Sequence, residues 1–266
     1  MKKYHVIKAI LFLAVLFSVS CFTACGGKTL TREQKITDDF NTIEIDTDVS
    51  DVTILPSEDG ECRIVCSEHE KITHVGAVDG STLNIEVLDK RNVFEKIFTP
   101  KMKLTVYLPR SEYGALTAET DTGSVTVDGD LTFDSVCIDT DTGDVELENV
   151  KAGEIAVGTD TGEIDCESVR CTIFAAKTET GDISLGDVIA DGKFDIVSET
   201  GDVEFEDCDA ASVFVTTDTG DVKGSFLTDK VIFADTDTGK VEIPKLTSGG
   251  KCEITTSTGD IKITIG

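Results

Sequence analysis

From residue 111 onward the apolar positions of the chain return with a period of 19 or 20 residues. Leu116, Val136, Ile155, Phe174, Phe194, Val213, Ile232 and Cys252 open successive units. Ala118, Ile138, Val157, Ala176, Ile196, Val215, Ala234 and Ile254 follow two places later, then Thr120, Thr140, Thr159, Thr178, Ser198, Thr217, Thr236 and Thr256 after two more. A spacing of two is strand spacing, so three columns face inward from one strand per unit. Three residues further on, each unit carries a glycine: Gly123, Gly143, Gly162, Gly181, Gly201, Gly220, Gly239 and Gly259. Beyond it the inward parity changes, with Val125, Val145, Ile164, Ile183, Val203, Val222, Val241 and Ile261 two places on. A straight strand cannot change parity, so the glycine marks a corner taken at positive φ. A second change brings in Val150, Val169, Val188, Cys208, Leu227 and Leu246. The pattern predicts an all-β fold: a parallel β-solenoid of about eight 19–20-residue coils over residues 111–266, stacked about 4.8 Å apart.

Residues 36–110 are strand-rich but lack the Thr-Gly unit, and they are expected to form an N-terminal β cap. Within them, Ile43 to Ile54 reads as a decayed copy of the unit with Ser50 in the glycine place. At the other end Ile261–Ile265 reads as the last coil, an open edge guarded by Lys251 and Lys262 or free for end-to-end self-association.

Three phrases of the cap and the repeats resemble the DUF4097 family. They are Phe40-Asn41-Thr42-Ile43-Glu44-Ile45, Asp79-Gly80-Ser81-Thr82-Leu83-Asn84-Ile85 and Tyr107-Leu108-Pro109, followed by runs such as Thr140-Asp141-Thr142-Gly143-Asp144-Val145. The resemblance covers about residues 36–265. It implies a surface-exposed β-solenoid of the kind assigned as adhesins, and it brings no catalytic residues.

The start of the chain has the make-up of an address. Lys2, Lys3 and Lys8 precede an apolar run from Ala9 to Val19 that is too short for a membrane span, and Phe22-Thr23-Ala24-Cys25 resembles a bacterial lipobox. The expectation is a leader over residues 1–24 and a tether over 25–35 that begins at Cys25, the lipidation site. The protein would then be extracytoplasmic and anchored to the bacterial cell membrane by lipid.

Charge narrows the possible partners. The net charge is −27, and residues 111–222 hold 29 Asp and Glu against four Lys and Arg, whereas residues 223–266 hold six of each. A nucleic-acid partner is excluded by sign. The acids form two columns at the corners, one with Asp121, Asp141, Asp160, Asp218 and Asp237, the other with Asp144, Glu163, Asp182, Asp202 and Asp221. Two readings stand side by side: calcium bridges between coils, or a solvated acidic ridge that keeps the rod soluble. Apart from calcium, no cofactor is implied.

Three further features carry candidate chemistry. Cys62, Cys66, His69 and His74 have the residue types of a zinc site, yet Cys62 and Cys66 lie about 13 Å apart on an extended strand. The other reading is a cap strand with two inward thiols and exposed histidines. Phe214 and Phe233 lie on the solvent side of what the sequence presents as adjacent coils, where they should stack as a stripe for a protein partner or be covered locally. Catalysis has little support: no Ser/His/Asp spacing, nucleophile elbow or phosphate loop is present. The reading is a non-catalytic surface module for adhesion or scaffolding. Its rivals are a calcium-stiffened rod, a sensor subunit contacting a membrane protein, and a polysaccharide-active enzyme.

Overall fold

A computed structural model describes residues 17–21, 29–91 and 101–266; Cys25 and most of the leader lie outside them. The N-terminal strands are β1 (Phe17–Cys21), β2 (Thr29–Ile36), β3 (Thr42–Thr47), β4 (Ser50–Pro56), β5 (Cys62–His69), β6 (Ile72–Asp79), β7 (Thr82–Asp89) and β8 (Met102–Leu108). The repeat contributes β9 (Glu112–Thr122), β10 (Val125–Thr142), β11 (Val145–Thr161), β12 (Ile164–Glu167), β13 (Arg170–Thr180), β14 (Ile183–Gly186), β15 (Ile189–Thr200), β16 (Val203–Thr219) and β17 (Val222–Phe226). The last four are β18 (Lys230–Thr238), β19 (Val241–Glu242), β20 (Gly250–Thr258) and β21 (Ile261–Ile265).

The expected parallel solenoid is what forms. Main-wall strands pair in the register of the columns, Val136 with Leu116 and Ile155, then Ile155 with Phe174. The second wall stacks Val125 on Val145 and Val145 on Ile164. The inward columns join into one hydrophobic core along the stack, with Phe174, Phe194, Phe205 and Phe226 fully buried and in contact in sequence. The second change of parity is also a corner: Asn149, Ser168, Asp187 and Asp207 there take φ of 47–57°, a conformation Asn and Asp tolerate best.

The glycine corner is set by close approach as well as by φ. Seven of the eight repeat glycines have φ of 147–158°. A Cβ on any of the eight would lie 1.9–2.2 Å from the carbonyl oxygen at the same corner of the neighbouring coil. That oxygen belongs to another repeat glycine, except beneath Gly123, where it belongs to Ser50. Column threonines lock the corner: Thr159 Oγ1 donates to the Gly143 carbonyl at 2.9 Å, and Thr140, Thr178, Thr236 and Thr256 do likewise. The decayed copy is a true coil, since β3 and β4 pair in register with β9 and β10.

Coil order departs from chain order at both ends. The coil of β3 and β4 sits between that of β7 and β8 and that of β9 and β10. At the far end β20 pairs with both β16 and β18, and β21 with both β17 and β19. The coil of residues 250–265 is therefore internal, and the open end is the coil of β18 and β19. This corrects the expectation that Ile261–Ile265 ends the stack behind Lys251 and Lys262. Leu227 and Leu246 also depart from their predicted inward positions: Leu227 is exposed and Leu246 half-buried, while Phe226 fills the core.

Antiparallel strands cover the first coil, β6 on β7, β5 on β8, then β2 on β5 and β1 on β2. Most of the segment read as a tether is β2, held by the buried Gln34, whose amide bonds both the N–H and the carbonyl of Gly76. Within the leader, residues 17–21 pair with β2 in the full chain.

The corner geometry makes a direct test. Gly181→Ala is expected to cost about 3 kcal/mol or more, because its Cβ would meet the Gly162 backbone at 1.9 Å. Gly158→Ala meets only the flexible Asp139 carboxylate and should cost less than about 1 kcal/mol. Urea unfolding of the two variants measures the difference.

Candidate functional site

The two acidic columns do different things. In the column after the glycines, each aspartate carboxylate caps the corner of a neighbouring coil. Asp144 Oδ1 accepts the Glu163 N–H at 3.0 Å, Asp182 the Asp202 N–H at 2.7 Å, Asp202 the Asp221 N–H at 2.8 Å and Asp221 the Asp260 N–H at 2.7 Å. Asp260 does the same for Lys240 at 2.8 Å. These acids satisfy backbone donors that the tight corner leaves without a strand partner. Sequence reasoning missed this role; its signal was an Asp directly after the glycine. Glu163, one methylene longer, has no such bond to Asp182 among the described residues.

The column before the glycines is exposed and repulsive. Asp121 and Asp141 line a cleft of about 110 Å³ with Asp46, Glu119 and Asp139. Desolvation pushes the Asp121 carboxyl up from its ordinary value, and Asp48, Asp141 and Asp46 add to it. Desolvation, then Asp160, Glu119 and Asp141, raises Asp139 against the pull of Lys177. Asp160, Asp218 and Asp237 continue this column along the stack. Among the described residues, no three acids of either column bring ligand atoms together as a metal cluster.

These shifts have opposite consequences for stability. A raised folded pKa stabilises only below the unfolded value and is lost as pH rises through the folded one. Ionised Asp121 and Asp139 therefore weaken the fold at neutral pH, and Asp121→Asn with Asp139→Asn should raise Tm at pH 7 but not below about pH 4. Asp221 is held low, first by the Asp260 N–H and then by Lys223. Its stabilisation is present above the unfolded pKa and lost on acidification, so Asp221→Asn should lower Tm at pH 7. Calorimetry across that range checks both signs.

The cap holds a buried polar cluster. Alternation along β5 turns Cys62, Ile64, Cys66 and Glu68 inward, and alternation along β6 does the same for Ile72 and His74. Glu68 and His74 are each 1% exposed and Cys66 3%. Glu68 Oε2 accepts from the His74 N–H at 2.9 Å and lies 3.1 Å from Nδ1, while Ser50 Oγ lies 2.7 Å from Nε2. Arg32 Nε sits 3.0 Å from Glu68 Oε1. His74 is thus buried rather than exposed, and the cluster takes Glu68 where the sequence suggested Cys62 and His69. Ser50, His74 and Glu68 have the connectivity of a nucleophile relay, but Ser50 is fully buried and offers no substrate access. The seven cysteines from Cys62 onward are free, and of these only Cys137 is exposed. Burial pushes the Cys62, Cys171, Cys208 and Cys252 thiols up to about 12, so they act as small apolar residues.

The open end has a different character. Among the described residues, β18 pairs only with β20 and β19 only with β21. Phe233 is 59% exposed, and Leu227 and Val241 are also exposed. Ile232 and Ala234, whose column partners are buried, are only half-buried here. Phe214 and Phe233 do not stack, because each pairs across to Glu253 in the intervening strand. Phe214 is half-buried under Lys251, whose Nζ lies 5.0 Å from the ring centroid. The end is braced by Lys230, 1% exposed, whose ammonium meets Asp209 and Thr228.

A coiled parallel sheet with an antiparallel cap and one free apolar end defines a β-solenoid repeat protein. The chain belongs to the Toastrack DUF4097 family, whose model matches residues 40–245 and 172–266. No curated protein is detectably similar in sequence. A crystal structure of a candidate adhesin from Bacteroides fragilis is similar at 19% identity over 90% of this chain and 98% of that one, with a TM-score of 0.59. A candidate lipid-binding protein from Parabacteroides distasonis is similar at 16% identity over 88% and 97%, with a TM-score of 0.56. A candidate adhesin from the same species reaches 11% identity and a TM-score of 0.51 over 89% and 97%. At these identities the likeness speaks for the fold. No helix among the described residues is long and apolar enough to cross a membrane.

Proposed function

We propose that this chain is a non-catalytic binding module of the bacterial surface, anchored through a lipid on Cys25, that takes up a protein ligand at the open end of its solenoid. The observation that carries the reading is the terminal coil, where the free edge of β18 and the exposed Phe233 ring stand together. An unpaired strand edge supplies main-chain bonds to an extended ligand segment, and an adjoining ring supplies apolar area. Residues 223–266 hold six acids and six bases, so this end lacks the net negative charge of the flank. The adhesin role proposed for two similar structures agrees with this reading.

Two measurements test the proposal. Metabolic labelling with an alkynyl fatty acid should mark the wild-type chain and leave Cys25→Ser unmarked; labelling of Cys25→Ser removes the anchor. Cells displaying the protein should adhere to surfaces coated with extracellular protein, and Phe233→Asp with Val241→Asp should reduce adherence several-fold at unchanged Tm. Adherence that survives those changes but falls in Asp121→Asn with Asp141→Asn would move the contact to the acidic flank.

A further inference from the structure

We propose that Cys66, Glu68 and His74 form a buried site for a thiophilic divalent cation, zinc by ligand chemistry, within the N-terminal cap. One ligand atom from each residue lies within 4.8 Å of the others. Two consecutive strands supply them: β5 places Cys66 and Glu68 two residues apart on its inward face, and β6 brings His74 against Glu68. A thiolate, a carboxylate and an imidazole make a borderline-soft set that suits zinc, with a fourth position left over.

Two details point to a ligand rather than to packing alone. Glu68 Oε1 is buried and ion-paired with Arg32 Nε at 3.0 Å, which leaves Oε2 facing His74 Nδ1 at 3.1 Å. Ser50 Oγ, 2.7 Å from His74 Nε2, is placed as the outer partner that fixes a ligating imidazole. Without a cation, Nδ1–H donates to Glu68 and the Ser50 hydroxyl donates to Nε2. With a cation on Nδ1, the imidazole proton moves to Nε2 and Ser50 becomes the acceptor. The Cys66 thiol then ionises, so one proton leaves for each cation bound. The cation's two charges favour the thiolate within this group.

Cobalt(II) is the probe, added to the chelator-stripped full chain. The expected result is a thiolate-to-cobalt charge-transfer band that saturates at one cobalt per chain and is displaced by zinc. Cys66→Ala should lose the band, whereas Cys62→Ala, on the same strand face but outside the group, should keep it. No band, or one that persists in Cys66→Ala, overturns the proposal and leaves a closed hydrogen-bonded network. Should Cys66→Ala fail to fold, proton release from the wild-type chain decides: one proton per zinc in weak buffer is expected, and none overturns the site.

Discussion

Everything in this solenoid depends on backbone meeting backbone at one corner. Each repeat glycine lies against the corner carbonyl of a neighbouring coil, so close that a methyl group would sit about 2 Å from it. That approach lets the coils close to the ladder spacing of about 4.8 Å, at which the strands of both walls pair and bring the inward columns into register. A side chain there would separate two coils locally and strain the pairing on either side, a cost spread along the stack because each coil is stabilised mainly by its neighbours. Ser50 is tolerated because its coil rests on the β7 and β8 coil, where Met102 stands opposite it instead of another repeat glycine.

The same corner explains the residues around it. A tight turn leaves amide groups that no strand takes up, and the repeat answers with a buried threonine before the glycine and an aspartate after it. The hydroxyls of Thr140, Thr159, Thr178, Thr236 and Thr256 reach glycine carbonyls, and the aspartates accept the next amide along the axis. The aspartates that directly follow the glycines thus serve the corner itself. The outward column has no such partner; at Asp121 desolvation, then Asp48, Asp141 and Asp46, raises the carboxyl, and the neighbouring Asp139 is raised likewise.

The sequence carried the coil clearly and the order of coils not at all. Columns spaced by two and a glycine at a fixed offset are local features, and they specify one turn of the solenoid wherever it sits. Because the 250–265 coil presents the same inward pattern as the others, nothing in its residues says that it slots between β16–β17 and β18–β19. One sign was available at Phe226 and Leu227, where the bulky residue falls a place early and leaves Leu227 outside. In the cap, the polar run of β2 hid a strand, because Gln34 occupies an inward place and is satisfied by Gly76. His74 and Glu68 were legible from parity alone, in step with Ile72 and Cys66, but charged and titratable side chains are rarely read as inward.

Coil order and charge together govern how copies of this rod meet. Interleaving tucks the 250–265 coil between two others, so it is secured on both faces, and at this end of the stack the free edge lies at β18 and β19. Along the flank, 29 acids against four bases confront any parallel approach. Screening confines that repulsion to within about 8 Å at physiological ionic strength, which is the range over which strand edges would begin to pair. Side-by-side aggregation is thus opposed at the distance where it would start, while the neutral end meets no such barrier. An acidic flank and an apolar end follow from one requirement: a repeat sheet with an exposed edge must restrict what reaches that edge to partners arriving along the axis.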